Sequence, residues 1–552
     1  MVKTSDVAAV LRSTGFGEPP FGEEAAKAAP AAPLRQATGA RPLEGLYNMR
    51  HRVRDGAAIG HLHMRRPPPQ ADSIESLCEM VEIWWCNVLM HVPFDSIAQG
   101  LDVRVNQAVT ELNKCVQCGV YTGLLPLSPR TLFRSQYAHL EAGPFVSQFL
   151  VRDFSMGGTL VRNRIRPCAL IPAHGSVATW LAVQEGGVAE VDDEDDGSPS
   201  GGSGGGADDV ADHRYIHNGA TLAAAVHKDV AYQIYYCAAY IAHEIGIELS
   251  ALSQTDPVST PWTDFGMPDV LCHLGRVACG ALRHAWLCKW HDYVKLRPEA
   301  LAMRFRQLDR RTSGRGVVGS AAAAAALREC TDPLLLKALR CFTNTYAAVW
   351  DAVPTADAAA DADADAPGSP TPVPPMFLCY PEGSPTHPAY PAGHATVAGA
   401  CVTVLKACFR CHDADLRRLA WPTTVLHSVD GVATTPVEAD AHGAVTIVGE
   451  FNKLAANVQC GRMFAAVHYR SDEEGLVLGE QYALTYLRDV LRDYAPPPAP
   501  PSSSSSAPST SSPKRRFVVE LLDGRVVEVD TGGVRVLRAR SLPPPAAAPS
   551  SE

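Results

Sequence analysis

Three short segments in the second half of the chain combine cationic and imidazole side chains with apolar or conformationally fixed surroundings. They are 289–298 (KWHDYVKLRP), 384–395 (SPTHPAYPAGHA) and 461–472 (GRMFAAVHYRSD). In the second, Pro391-Ala392-Gly393-His394 runs directly into an apolar helical stretch. A glycine there lets a ligand approach the backbone closely. The helix that follows presents unpaired N–H groups and the positive end of its dipole, so the segment predicts an anion site with His394 at its mouth. Taken alone, the same residues also describe a capped helix carrying an ordinary histidine.

The other two segments supply charge. Lys289 stands near the end of an apolar helical stretch containing Trp286 and Leu287. An ammonium in such a place needs an anionic partner or a shifted pKa. Arg297 precedes Pro298, which predicts a helix break there. Arg462 lies in a mostly apolar run, NKLAANVQCGRMFAAVHY, and His468 follows six residues later. On a straight helix the two would stand about 240° apart, so a bend or a helix end has to reorient one of them. Asp472, four residues beyond His468, can orient that imidazole if the turn between them is helical. Individually, each feature reads as ordinary structure. Together, two arginines, a lysine and two histidines suit one tetrahedral oxyanion, because guanidinium forks match paired oxygens of phosphate or vanadate.

The three segments resemble the vanadium haloperoxidase and type 2 phosphatidic acid phosphatase superfamily, whose signature reads Lys…Arg-Pro, then Pro-Ser-Gly-His, then Arg-x5-His-x3-Asp. Within it the likeness is to the bromoperoxidase type. SPTHPxYPxGHA matches 384–395, NKLAxNVxxGR matches 452–462, HYR matches 468–470 and LGE matches 478–480. GPFVSQFLV at 143–151 and WLAVQ at 180–184 belong to the same likeness, which runs from about residue 45 to 490. Seven residues separate Lys289 from Arg297. That spacing resembles the bromoperoxidases, whereas the phosphatases and chloroperoxidases usually have one residue fewer.

The resemblance implies an all-α, multi-helix bundle of the vanadium haloperoxidase type with vanadate as cofactor. Lys289, Arg297, Gly393 and Arg462 would contact its oxygens. His468 would be the metal ligand, and His394 the acid–base group near the apical oxygen. His387 falls where bromoperoxidases carry a histidine and would tune halide access or proton delivery. Lys289, His387 and His394 are thus the implied catalytic set. The implied reaction is oxidation of bromide or iodide by hydrogen peroxide to hypohalous acid, which halogenates a small organic acceptor. A homo-oligomer is implied as well. One departure stands out: the serine of Pro-Ser-Gly-His is Ala392 here. A hydrogen bond to a charged group is worth roughly 1.5–3 kcal/mol, so the change predicts weaker cofactor binding. A soluble acid phosphatase using the same pocket, with His468 as nucleophile, is the nearest alternative, and a non-catalytic anion-binding relative the second.

These residues need a scaffold. Apolar spacing predicts helices over 73–92, 103–118, 219–252, 267–293, 298–308, 319–350, 393–411, 449–467 and 476–492, the pattern of a helical bundle. The tail differs. Over 514–540 apolar and polar residues alternate about Asp523-Gly524, predicting a small C-terminal β-hairpin. Residues 1–44 read as a disordered extension and 45–494 as the helical domain, with flexible inserts at 186–212 and 355–375. A Pro/Ser linker, 495–513, precedes the hairpin and a disordered end within 514–552.

A net charge of −10 argues against a nucleic-acid partner. The longest apolar stretch, 395–409, has 15 residues and contains Lys406, too short for a membrane span. The N-terminal stretch lacks an apolar signal core and carries Asp6, Glu18, Glu23 and Glu24. The expectation is a soluble, intracellular protein, with the compartment left open. The 16 cysteines read mainly as buried free thiols, since neither Cys115/Cys118 nor Cys408/Cys411 has a matching histidine spacing for zinc.

Overall fold

The helix that begins after Pro391 is the axis of the molecule, because its sequence is apolar on every side. The structure, a computed structural model, describes residues 62, 64–117, 126–168, 170, 177–189, 213–250, 262–313, 336–339, 379–437, 444–494 and 515–539. The main helices are α1 (Ile74–Val88), α2 (Val103–Gln117), α3 (Gly219–Ala225), α4 (Gln233–Glu244), α5 (Met267–Leu287), α6 (Pro298–Ser313), α7 (Gly393–Cys408), α8 (Ile447–Phe464) and α9 (Glu474–Asp493). Every residue of α7 except His394 is buried. It is enclosed by α5, α8 and α9, as a helix that is hydrophobic all round must be.

Local chemistry explains most boundaries. Ser73 caps α1 by accepting the Ser76 N–H, and Thr446 caps α8 by accepting that of Gly449. Pro298 opens α6 directly after Arg297, the favoured first position for proline. The stretch 219–252, expected as one helix, is two: α3 and α4 are separated by 226–232. Of the helix expected over 319–350, only 336–339 are described, and they are helical. The extension 1–44, the insert 355–375, the linker 495–513 and residues 190–212 of the first insert lie outside the described residues. All cysteines among the described residues are free thiols, and most are buried. Among the described residues no helix is long and apolar enough to cross a membrane.

The tail forms the expected hairpin and adds a third strand. β1 (Phe517–Glu520), β2 (Val526–Asp530) and β3 (Gly533–Arg538) pair antiparallel in that order. Gly524 makes the first turn at φ +87°. The sheet is tied to the body at Leu522. Its N–H donates to Glu480 Oε2 at 2.6 Å, and its carbonyl accepts the Ala138 N–H at 2.9 Å. Glu520 is the second tie, accepting from His139, His412, Arg418 and Arg538.

The α7–α9 crossing is close enough to require glycine on both sides. A Cβ on Gly479 would lie 1.9 Å from Thr396 O, and one on Gly399 would lie 1.9 Å from Leu476 O. Both obstacles are backbone, which cannot rotate away. Gly479→Ala should therefore cost about 3 kcal/mol or more, the upper end for overpacking. A denaturant midpoint equal to that of the unchanged protein would show that these helices do not meet at this position.

Candidate active site

α5 carries Lys289 into the interior and then loosens. Residues Cys288–Asp292 form a π-turn, a distortion that often marks functional positions. Lys289 is fully buried. Its Nζ donates to Pro388 O at 2.6 Å and Ala389 O at 2.8 Å, both neutral carbonyls. Burial pushes its pKa well below the ordinary lysine range, and Arg297 adds to the effect while Asp472 opposes it.

Arg297 sits at the junction into α6 and is almost fully buried. Its Nε donates to His387 O at 2.8 Å, and Nη1 donates to Val467 O at 2.7 Å. Nη1 also meets His468 Nε2 at 2.9 Å, and Nη2 lies 3.1 Å from His387 Nδ1. One guanidinium thus joins all three motif segments. The His387 ring stacks on Trp286, with centroids 4.8 Å apart. Burial holds His387 well below the usual histidine range, reinforced by Arg297 and Lys289.

The turn after α8 solves the problem set by the Arg462–His468 spacing. The helix stops at Phe464, and Ala466 adopts φ +52°, a left-handed conformation that reverses the chain. Asp472 then returns not on an α-helical turn but on a 3₁₀ turn, Ser471–Glu473. His468 Nδ1 lies 2.6 Å from Asp472 Oδ2, which also accepts the Tyr469 N–H at 3.1 Å. A carboxylate can only accept and a guanidinium can only donate. The proton therefore resides on Nδ1, and the Nε2 lone pair faces the cationic cluster. Burial pushes the His468 pKa well down, followed by Arg297, Lys289 and Arg462.

Arg462, near the C-terminal end of α8, is buried too. Nη1 donates to Val226 O at 2.6 Å. Its Nε is buried without a hydrogen-bond partner among the described residues, a costly state unless a ligand completes it. α7 supplies further donors, because its N-cap Ala392 offers no side-chain cap to the first amides. The space at Gly393 is tight: a Cβ there would lie 3.1 Å from Leu282 Cδ1, which would have to give by a few tenths of an ångström, and 4.0 Å from Lys289 Cε.

His394 is about a fifth exposed, with Nε2 2.8 Å from Asp229 Oδ1. Burial and Arg462 lower its pKa, while the Asp229 contact raises it. Burial alone would raise the Asp229 pKa, but the bond and charge of His394 bring it below the usual carboxylate range. Asp229 was absent from the sequence reading. It lies 165 positions before its partner, in a short segment, HKDV, with no spacing signal.

All seven residues singled out in the sequence thus lie in one neighbourhood: Lys289, Arg297, His387, Gly393, His394, Arg462 and His468. The set fits a tetrahedral oxyanion. It offers three cations, an orphaned guanidinium N–H, uncapped helix amides and one imidazole lone pair, while its two nearest carboxylates are bonded to histidines. This combination describes a helical protein with a buried cationic cluster beside a histidine lone pair.

No family model matches the chain. A vanadium-dependent bromoperoxidase of Corallina pilulifera is 30% identical over 379 residues, which are 65% of this chain and 59% of the relative. One of Ascophyllum nodosum is 28% identical over 450 residues, 78% of this chain and 70% of the relative. The chain thus spans about three fifths of the length of the Corallina relative. The fold matches the homohexameric second vanadate-dependent bromoperoxidase of Ascophyllum nodosum with a TM-score of 0.61, at 23% identity, over 86% of this chain and 74% of that one. In sequence the chain is similar to vanadium-dependent bromoperoxidases, and in fold it is similar to one of them.

Two outcomes follow from this geometry. Ala392→Ser places a hydroxyl at the cap of α7 and should tighten vanadate binding about tenfold, as one hydrogen bond to a charged group would; titration calorimetry measures it, and an unchanged affinity would mean that this position does not reach the anion. Asp229→Asn removes the group that favours the His394 imidazolium, so the His394 pKa should fall further, as read from its NMR titration.

Proposed function

We propose that the chain is a vanadate-dependent haloperoxidase that oxidises bromide or iodide with hydrogen peroxide to hypohalous acid, which then halogenates a small organic acceptor. The observation that carries this reading is the state of His468: buried, neutral, its Nδ1 proton held by Asp472 and its Nε2 lone pair set among three cations. Vanadate, when bound, supplies a Lewis-acidic centre that activates peroxide without changing oxidation state.

The protein's own groups divide the remaining work. Lys289, Arg297, Arg462 and the Gly393 N–H hold and neutralise the oxyanion, and His468 ligates the metal. Lys289 would also donate to the anion, because the carbonyls that its Nζ meets are neutral and leave its charge uncompensated. His394, bonded to Asp229 and reached by solvent, accepts and returns the proton lost by peroxide. His387, kept neutral against Trp286 and Arg297, tunes halide approach or proton delivery. The homohexameric relative of Ascophyllum nodosum supports a homo-oligomer for this chain.

The test is bromination of a phenolic dye by purified apo-protein with bromide and peroxide, with and without orthovanadate. A vanadate-dependent rate blocked by phosphate is expected. Hydrolysis of an aryl phosphate without bromination would replace this reading with phosphoryl transfer from the same pocket. His468→Ala should abolish stoichiometric vanadium retention, measured by elemental analysis after gel filtration, and a variant that retains the metal would remove His468 as the ligand.

A further inference from the structure

The seven residues between Lys289 and Arg297 contain another cation, Lys295, which none of the roles above uses. Its side chain is almost fully buried. Nζ donates to Glu79 Oε2 at 3.0 Å, Ser471 Oγ at 2.7 Å and Asp472 Oδ1 at 3.4 Å, and it rests 3.8 Å from the centre of the Tyr469 ring. Glu79 reaches this point from α1, 216 positions away, and its other oxygen accepts the Ser471 N–H at 2.7 Å. The backbone adds two ties. Lys295 O accepts the Ala389 N–H at 3.0 Å, and Tyr469 Oη donates to Leu296 O at 3.0 Å.

The geometry points to a chain of contacts. Asp472 presents Oδ2 to His468 Nδ1 and Oδ1 to Lys295. Glu79 presses on the same ammonium. Without the cation, two carboxylates would face one another in a site without bulk water, where repulsion is strong. The 3₁₀ turn that carries Asp472 is tied to Glu79 through the Ser471 N–H.

We infer that Lys295 is a positioning residue for His468: by bridging Glu79 and Asp472 it keeps the Asp472 carboxylate on Nδ1, so that Nε2 stays the lone-pair donor toward the metal. The inference rests on His468 being the vanadium ligand. It concerns the imidazole's hydrogen bond and tautomer, which exist in the apo-protein, and so can be read without cofactor.

The experiment compares Lys295→Met, Glu79→Gln/Lys295→Met and the unchanged chain. In apo-protein with ¹⁵N-labelled histidine, the downfield Nδ1–H signal of His468, assigned by its loss in His468→Ala, should disappear in Lys295→Met and return in the double variant, which no longer opposes two carboxylates. Vanadate binding should weaken about 10–100-fold in Lys295→Met, the range for partners that orient a metal-ligating histidine. Inorganic phosphate, which needs the cations but no metal–nitrogen bond, should lose much less. If Lys295→Met does not fold, Lys295→Gln, which keeps a donor but no charge, is read the same way. Retention of the Nδ1–H signal in either single variant overturns the inference, as does its failure to return in a folded double variant. Loss and return of that signal in a protein that never binds vanadate would uphold the positioning role and overturn the proposed function instead.

Discussion

Three cationic side chains, Lys289, Arg297 and Arg462, are removed from water inside a helical core, and the surrounding structure answers that one constraint. A buried charge is tolerated only when it is hydrogen-bonded. Here carbonyl oxygens accept from each of them: Pro388 and Ala389 for Lys289, His387 and Val467 for Arg297, Val226 for Arg462. Carbonyl dipoles solvate a cation without cancelling its charge. Carboxylate partners would have neutralised the cluster and left nothing for an anion.

The carboxylates close to the cluster are assigned to the histidines. Asp472 holds His468 and Asp229 holds His394. The consequences differ because the environments differ. His468 is sealed among cations and its pKa is driven well down, whereas His394 is partly exposed and its carboxylate opposes the fall. Two imidazoles with the same kind of partner thereby differ in exposure and basicity, as the separate tasks proposed for them require.

Precision comes from where these residues are mounted. Gly393 opens a helix buried over almost its whole length and locked against α9 at glycine contacts. Arg462 lies on a second buried helix, α8. Lys289 lies in a π-turn and Arg297 directly before a proline start. His468 and Asp472 stand on a short stretch between α8 and α9, and that stretch gathers ties from Arg297, Glu79, Lys295 and Tyr469. Loops hold a site less exactly than helices do, so the extra ties fall where the backbone is weakest. The tail sheet is anchored through Glu480 and Glu520.

Local signals were legible wherever adjacent residues encode them. The apolar stretch after Gly393 announces a buried helix, Arg297-Pro298 a break and restart, and Asp523-Gly524 a turn, because each depends on side-chain periodicity or on what glycine and proline permit. The seven site residues were legible for the same reason, since their segments keep residue type and spacing together. The π-turn at Lys289, the reversal at Ala466 and the split between α3 and α4 were not, as each is a compromise between helix propensity and packing. Asp229, Glu79 and Lys295 were silent too. A carboxylate in HKDV or in α1 carries no mark of the histidine or lysine it will meet. By itself the sequence determined most of the elements, the cations they carry and the local pairing of Asp472 with His468, whereas only the tertiary structure decided that Asp229 meets His394 and Glu79 meets Lys295, because those pairings span 165 and 216 positions and depend on how whole helices pack.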